Sequence, residues 1–513
     1  MADNPDGSVC NHDMRPEPNS PRAKWAVLAA AFLGWMFDGF EMGLFPLIGG
    51  PAIKELLGEG AVAGDADKWF GAIIAVFLVG AATGGVLFGW LGDKIGRVRA
   101  MAISIFTYAI FTGLCGFASE AWHIAALRFV ASLGMGGEWS LGVALVNEVW
   151  PGKSRAITAG LIGAAANVGF LLVGVLSLVL SSFINGMQGF LLSVGLPEAM
   201  VTQLLANSAW RLLMMSGALP ALMVFFIFLK VPESEKWEAE RKRGATSHWA
   251  NTDLFGVLIG GVAAMTIVWA WSPIGTGARN AVFVTVVGLV VALYGYLYPV
   301  RRYLARAEAA GSLRGTDGKS VVKMMLFGAS LAGVALLGTW GAIQWIPRWA
   351  IQLAGATEPH AKEYTQIATA LGAVLVTFLT AVTADKLGRR VTFTLMCAGT
   401  IATALMLYQT NHTFGPWFLA CAFIAGGVSA SFYGFFPLYF PELFPTAVRA
   451  TGQGFSFNFG RIIAAIGGMQ TATLMGYFDG SFPKAGSVMA AIYLLGLVLI
   501  WFGPETKDKP LPD

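Results

Sequence analysis

The chain is poor in charge. Of 513 residues only 12% are Asp, Glu, Lys or Arg, about half the ~25% of soluble domains. So little charge cannot cover a water-facing surface, which excludes a soluble enzyme, a nucleic-acid binder and a disordered scaffold. Histidine numbers five, and none falls inside a long apolar run. A buried His metal site or His-based proton relay is therefore not expected. The four cysteines, Cys10, Cys115, Cys397 and Cys421, lack metal-ligand spacing, and three sit in apolar runs. Packing, not a disulfide framework, is their expected role. There is no P-loop to supply an ATP motor and no grouped Ser, His and Asp. Neither enzymatic activity nor a cofactor is expected.

What is abundant is apolar surface: 56% hydrophobic residues and 64 glycines. Fourteen spans of roughly 20 residues would take about 280 residues, close to what that share supplies. Continuous runs occur near 25–49, 70–91, 100–118, 123–149, 156–184, 209–230, 254–273, 279–300, 324–347, 364–384, 391–409, 417–440, 450–476 and 485–502. Barrel strands would be alternating segments of about ten residues, so these runs are read as helices of a multi-pass membrane protein. Placing the N-terminus inside puts 25 of the 34 Lys and Arg on the inner side and six outside, with three within spans. That asymmetry predicts an N-in, C-in topology in the cell membrane.

The chain also repeats itself. The segment around Asp93 (LGDKIGR) recurs around Asp385 (TADKLGR), and Glu148 through Arg155 recurs as Glu442 through Arg449. Pro232-Glu233-Ser234 returns as Pro504-Glu505-Thr506 at a shorter offset, which assigns an extra outer loop, 185–208, to the first half. The predicted organisation is a disordered cytoplasmic tail (1–24), a six-helix bundle (25–230), a loop (231–253), an inserted hairpin (254–300), a loop (301–323), a second bundle (324–503) and a tail (504–513). Duplicated bundles meeting near the bilayer midplane are a way to build a site that opens alternately to either side.

These motifs resemble the major facilitator superfamily over nearly the whole chain. Gly89-x-x-Gly92-Asp93-Lys94-x-Gly96-Arg97 is similar to its cytoplasmic loop motif, and Asp385-Lys386-x-Gly388-Arg389 to the second-half copy. The resemblance implies an inner gate made of Asp93, Arg97, Glu148, Arg155, Glu233, Asp385, Arg389, Glu442 and Arg449. The alternative for the basic residues is that they only satisfy topology. Asp38-Gly39-Phe40-Glu41, Gly136-Gly137-Glu138-Trp139 and the inserted hairpin resemble the sialic-acid proton symporters, a branch with two extra central spans. There the first motif usually ends in Asp, so Glu41 is a conservative departure. The segment from Pro441 to Phe455 instead looks like a general sugar or organic-acid porter.

Ionisable groups inside spans are costly and mark candidate sites. The acids are Asp38, Glu41 and Glu138, and the bases Arg128, Arg211 and Arg461. Asp38 and Glu41 share a helix face, with Cβ atoms about 5–6 Å apart. Two carboxylates that close are not both expected to ionise, which is what a proton-coupling site requires. Arg128 is expected to pair with Asp38, either as the coupling pair that related sugar porters imply or as a permanent salt bridge. Glu138 is read equally as a coupling or a structural carboxylate, and Arg211 as a residue snorkelling to the interface. Arg461, after Asn458-Phe459-Gly460, can bind a carboxylate bidentately, or pair with a gate acid. Asn167, Gln344, Tyr433 and Asn458 complete the candidate substrate-binding set. Aromatics near span ends, Trp349 and Trp417, are assigned to interfacial belts.

The reading is a proton-driven symporter that imports a small polar metabolite, acting as a monomer in the bilayer. A sialic-acid-like sugar acid or other carboxylate comes first and a neutral sugar second. The proton is the expected coupling ion; Na⁺ stays open, because acids in a cavity serve either. Drug efflux is disfavoured by the lack of proline in the span at 156–184. A transporter-like sensor would need a partner for the insertion.

Overall fold

The computed structural model describes residues 20–58, 65–150, 154–271, 278–311 and 318–512. All regular structure among them is helical. The first half contains α1 (Pro21–Leu57), α2 (Asp65–Ile95), α3 (Arg97–Leu114), α4 (Ala121–Val149), α5 (Arg155–Leu178), α6 (Leu180–Ser193), α7 (Glu198–Ser216) and α8 (Leu222–Lys230). After a short α9 (Glu235–Lys242) come α10 (Leu254–Trp271) and α11 (Ala278–Ala309). The second half contains α12 (Gly318–Gly338), α13 (Ile346–Ala354), α14 (Ala361–Leu387), α15 (Arg389–Thr410), α16 (Pro416–Tyr439), α17 (Arg449–Tyr477), α18 (Phe482–Ala490) and α19 (Tyr493–Leu499).

Twelve helical stretches among the described residues are long and apolar enough to cross a membrane. The two remaining expected crossings are helical but less simple. The run at 209–230 is divided between α7 and α8 by a 3-10 turn at Leu219–Ala221. The run at 450–476 lies in α17, a 29-residue helix carrying Gln453, Asn458 and Arg461. Several boundaries differ from expectation. The first helix starts at Pro21, N-capped by Ser20, whose hydroxyl accepts from the Ala23 N–H. Residues 21–24 are thus helical, while 1–19, with Cys10, lie outside the described residues. The expected outer loop at 185–208 forms α6 and the start of α7. The segment after 503 is docked: the Pro512 carbonyl accepts from Arg449.

One large core runs through both halves and the hairpin, with a smaller cluster in each half, and the halves meet along two seams, α2 with α17 and α5 with α14. Small residues create those seams and the contacts within each half. A Cβ on Gly89 would stand 2.7 Å from the Ala450 carbonyl oxygen, and one on Gly454 2.3 Å from that of Gly85. On α1, Gly39 lets the backbone of α5 approach so closely that a Cβ would lie 2.0 Å from the Ala166 oxygen. Lacking a hydrophobic drive between helices in lipid, such bundles depend on this backbone proximity. The inserted helices α10 and α11 form a hairpin seated on the first seam. Tyr296 of α11 shares a 2.8 Å hydrogen bond with Thr83 of α2, and its ring meets Phe459 of α17 edge-on.

Gly39→Ala is therefore expected to lose about 1–3 kcal/mol of stability through overpacking. Gly71→Ala, with nothing within 4 Å, serves as the control; thermal unfolding of the detergent-purified pair measures the difference.

Candidate functional site

Two sets of charged residues occupy the seams. The first lies at the end where α2 turns into α3 and α14 into α15. Arg97 pairs with Asp93 at 2.8 Å and with Glu148 at 3.3 Å. Glu148 also binds Arg449 of the other half at 2.8 Å. The second half mirrors this: Arg389 pairs with Glu442 at 2.6 Å, and Glu442 also binds Arg155 of the first half. Each glutamate thus holds one arginine from its own half and one from the opposite half. Asp93 makes a further crossing, accepting from the Ala450 N–H at 3.2 Å and the Thr451 N–H at 2.8 Å. It therefore caps the start of α17, where the helix dipole favours an anion.

Glu233 does not join an arginine side chain. Its carboxylate accepts the Arg97 N–H at 3.0 Å and the Val98 N–H at 3.1 Å, capping α3. Burial pushes its carboxyl up, against those backbone donors. Glu505, not among the expected gate residues, does the same for α15 through the Arg389 and Arg390 N–H groups. Burial opposes the charged form there too, yet the backbone N–H groups of Arg389, Arg390 and Lys507 hold its carboxyl below the usual range. The recurrence of Pro-Glu-Ser as Pro-Glu-Thr was the available signal. Asp385 departs from the expected symmetry. Its side chain is 47% exposed and 3.9 Å from Arg389.

The second set lies deeper, between α1, α3, α4 and α17. Asp38, Glu41, Arg128, Glu138 and Arg461 are each at most 4% exposed. Arg128 does not pair with Asp38 but with Glu41, at 2.8 Å. Its guanidinium is held between the rings of Phe45 and Phe77, 4.3 and 4.6 Å away. Asp38 lies one turn before Glu41 on α1 and meets Glu138 instead. The lack of a side chain at Gly34 makes this possible, since a Cβ there would lie 1.5 Å from the Glu138 Oε1. Neither carboxyl has a donor partner among the described residues.

Arg461 is the cation that acts on Asp38 from the opposite half, without closing to ion-pair distance. One of its Nη atoms has no partner among the described residues, and its guanidinium stands 5.4 Å from the Phe457 ring. Phe457 stacks on Trp139 at 4.0 Å and meets Trp35 and Tyr433 edge-on. Tyr108 of α3, unforeseen in the sequence, adds a buried hydroxyl with no partner among the described residues, within electrostatic reach of Glu138 and Asp38.

The other expected binding residues divide. Tyr433 stands beside Arg461, with its hydroxyl near Thr339. Asn458 is committed to the first seam, donating to the Gly136 carbonyl at 2.9 Å. Asn167 donates to the Thr377 hydroxyl at 3.3 Å across the second. Gln344 is exposed, just past a π-helical turn at Thr339–Ile343. Arg211 pairs with Glu55 at 2.9 Å and donates to the Gly116 and Ala118 carbonyls. Trp349 is buried, while Trp417 is exposed as a belt residue would be. Among the described residues no three His, Cys, Asp or Glu side chains group as metal ligands.

Two duplicated helical bundles joined by ion pairs, with buried acids that have no donor among the described residues, are the architecture of a membrane transporter. The chain belongs to the Major Facilitator Superfamily, whose sequence profile matches residues 27–468. It is 25% identical to a putative metabolite transport protein of Haemophilus influenzae, over 95% of this chain and 98% of that one. It is 27% identical to a probable 4-methylmuconolactone transporter of Cupriavidus pinatubonensis, over 96% and 92%. A shorter match, 29% over 43% of this chain and 46% of the other, is to the sialic acid transporter NanX of Escherichia coli. In fold it is similar to the proton:xylose symporter XylE, with a TM-score of 0.61 at 16% identity, covering 95% and 98% of the two chains.

Replacing both crossing anions, Glu148→Gln with Glu442→Gln, leaves Arg449 and Arg155 without an ion-pair partner among the described residues, Arg97 with Asp93 alone and Arg389 with Asp385 at 3.9 Å, and each broken buried pair typically costs ~3–5 kcal/mol. A cysteine at Ser140, beside the first seam, is then expected to react with a water-soluble maleimide about tenfold faster or more. An unchanged rate would show that these pairs do not hold the seam closed.

Proposed function

We propose that the protein is a proton-coupled symporter that imports a small organic carboxylate, a sugar acid or similar metabolite, by alternating access. The observation that carries this reading is a pair of buried acids, Asp38 and Glu138, with no donor among the described residues, Glu138 lying against α1 at Gly34, one turn before Asp38. Two carboxylates are acceptors only, so they become hydrogen-bonded partners when one holds a proton. A shared proton that leaves when the seam opens to water, with Arg461 free to take a substrate carboxylate, links the two cargoes. Substrate binding then neutralises the cation that otherwise steadies an ionised Asp38, which favours proton uptake on the same side. Glu41, held by Arg128, fixes the α1–α4 geometry around the acids. Relatives named for sialic acid and 4-methylmuconolactone support an organic metabolite over a drug.

In this reading the Asp93–Arg97 end is cytoplasmic, with fourteen crossings, both termini inside, and a monomer in the cell membrane as the working unit. The closed gate pairs then correspond to a state shut toward the cytoplasm. The two six-helix bundles are the moving bodies in this reading.

The test is uptake into proteoliposomes under an imposed pH gradient, screened over sugar acids, other carboxylates and neutral sugars. Asp38→Asn is expected to abolish pH-driven accumulation while leaving counterflow exchange measurable. Loss of both, with folded protein retained, would instead make Asp38 a binding or structural residue. Arg461→Gln is expected to abolish uptake of the acid. Persistent uptake with unchanged affinity would reject the carboxylate assignment and favour a neutral sugar.

A further inference from the structure

The inserted hairpin creates a feature that the transport reading does not use. Helix α10 stands away from α2 and α4 along part of its length, leaving a groove of about 680 Å³. That volume falls within the ~300–1,000 Å³ of small-molecule sites. Leu87 of α2 and Phe129 and Leu133 of α4 form one wall; Leu258, Val262 and Met265 of α10 form the other. Two of the lining side chains are hydroxyls, and both are spent internally. Thr83 bonds the Val79 carbonyl and Tyr296, and Thr266 donates to the Val262 carbonyl at 2.8 Å. A polar ligand would find no partner here, and an apolar one loses nothing by entering.

The groove also has direction. It runs along α10 from Leu254 to Trp269, about 22 Å at 1.5 Å per residue. One leaflet of the hydrocarbon core is ~15 Å deep, so an acyl chain fits within it lengthwise. At the Leu254 end stands Lys94, whose ammonium lies 4.6 Å from the centre of the Trp90 ring. Its hydrogen bond goes to the side-chain oxygen of Asn251, one helical turn before Leu254, and it forms no ion pair with a described carboxylate. A cation at one mouth and an apolar slot behind it match a single amphiphile.

We propose that this groove is a binding site for an anionic phospholipid, with an acyl chain between α10 and α2/α4 and the phosphate at Lys94. The site exists because of the insertion, which supplies one whole wall. It does not depend on which substrate the protein carries.

Native mass spectrometry of the full-length protein, released from mild detergent, reads the lipid and its headgroup directly. Wild-type protein offered equal anionic and zwitterionic phospholipids is expected to retain one lipid, with the anionic class enriched. Leu258→Trp and Met265→Trp fill the slot and should reduce retention at least tenfold while the protein stays monodisperse. Lys94→Gln should keep a lipid but lower the anionic preference about fivefold, the worth of one cation at a membrane surface. Retention unchanged in both filled variants would overturn the site, and an unchanged headgroup ratio in Lys94→Gln would overturn the anchor. Should the filled variants fail to fold, quenching by brominated phospholipid, compared between wild type and Trp269→Phe, decides it. Equal quenching would reject the groove.

Discussion

The fold depends on a rule about buried charge: in a low-dielectric interior an arginine or a carboxylate is tolerable only against its opposite. Glu148 and Glu442 turn that rule into a joint between the halves. Each is contacted by two arginines, one from either bundle, so neither half can withdraw without leaving charge stranded. A bilayer gives helices little reason of their own to associate, which makes these few ionic contacts disproportionately important. They act with the glycine-lined approach of α2 to α17, where Asp93 adds an anion at a helix start.

The deeper cluster follows the same rule to a different end. Glu41 and Arg128 form an ion pair, and the acids beside them form none among the described residues. Asp38 and Glu138 have each other and a distant Arg461, an arrangement that holds only while protonation or a third charge balances it. The arginines and glutamates of the first set pair across the halves, whereas the Asp38 and Glu138 carboxyls have no donor among the described residues.

Much of this was legible in the sequence. Low charge and long apolar runs identified the solvent as lipid, and the repeats around Asp93/Asp385 and Glu148/Glu442 located the two halves. The same two-fold pattern placed Glu148 and Glu442 near their arginines. What was not legible was partner choice within the cluster. Spacing on α1 put Asp38 and Glu41 on one face, and from that face alone either could meet Arg128. The choice was made by Gly34, which admits Glu138 beside Asp38, and by Phe45 and Phe77, which hold Arg128 at Glu41. Asp385 shows the converse, a motif residue repeated in sequence but left exposed.

By itself, then, the sequence determined the solvent, the helical class, the duplication and the short roster of charged residues able to matter. These follow from composition and periodicity, which are properties of the chain read in one dimension. Only the tertiary structure decided which charges neutralise each other, that Asn458 and Asn167 bind the seams, and that the inserted hairpin leaves a groove. Those depend on how closely two backbones approach, and that distance is set by residues remote in sequence, many of them glycines without a side chain to announce the contact.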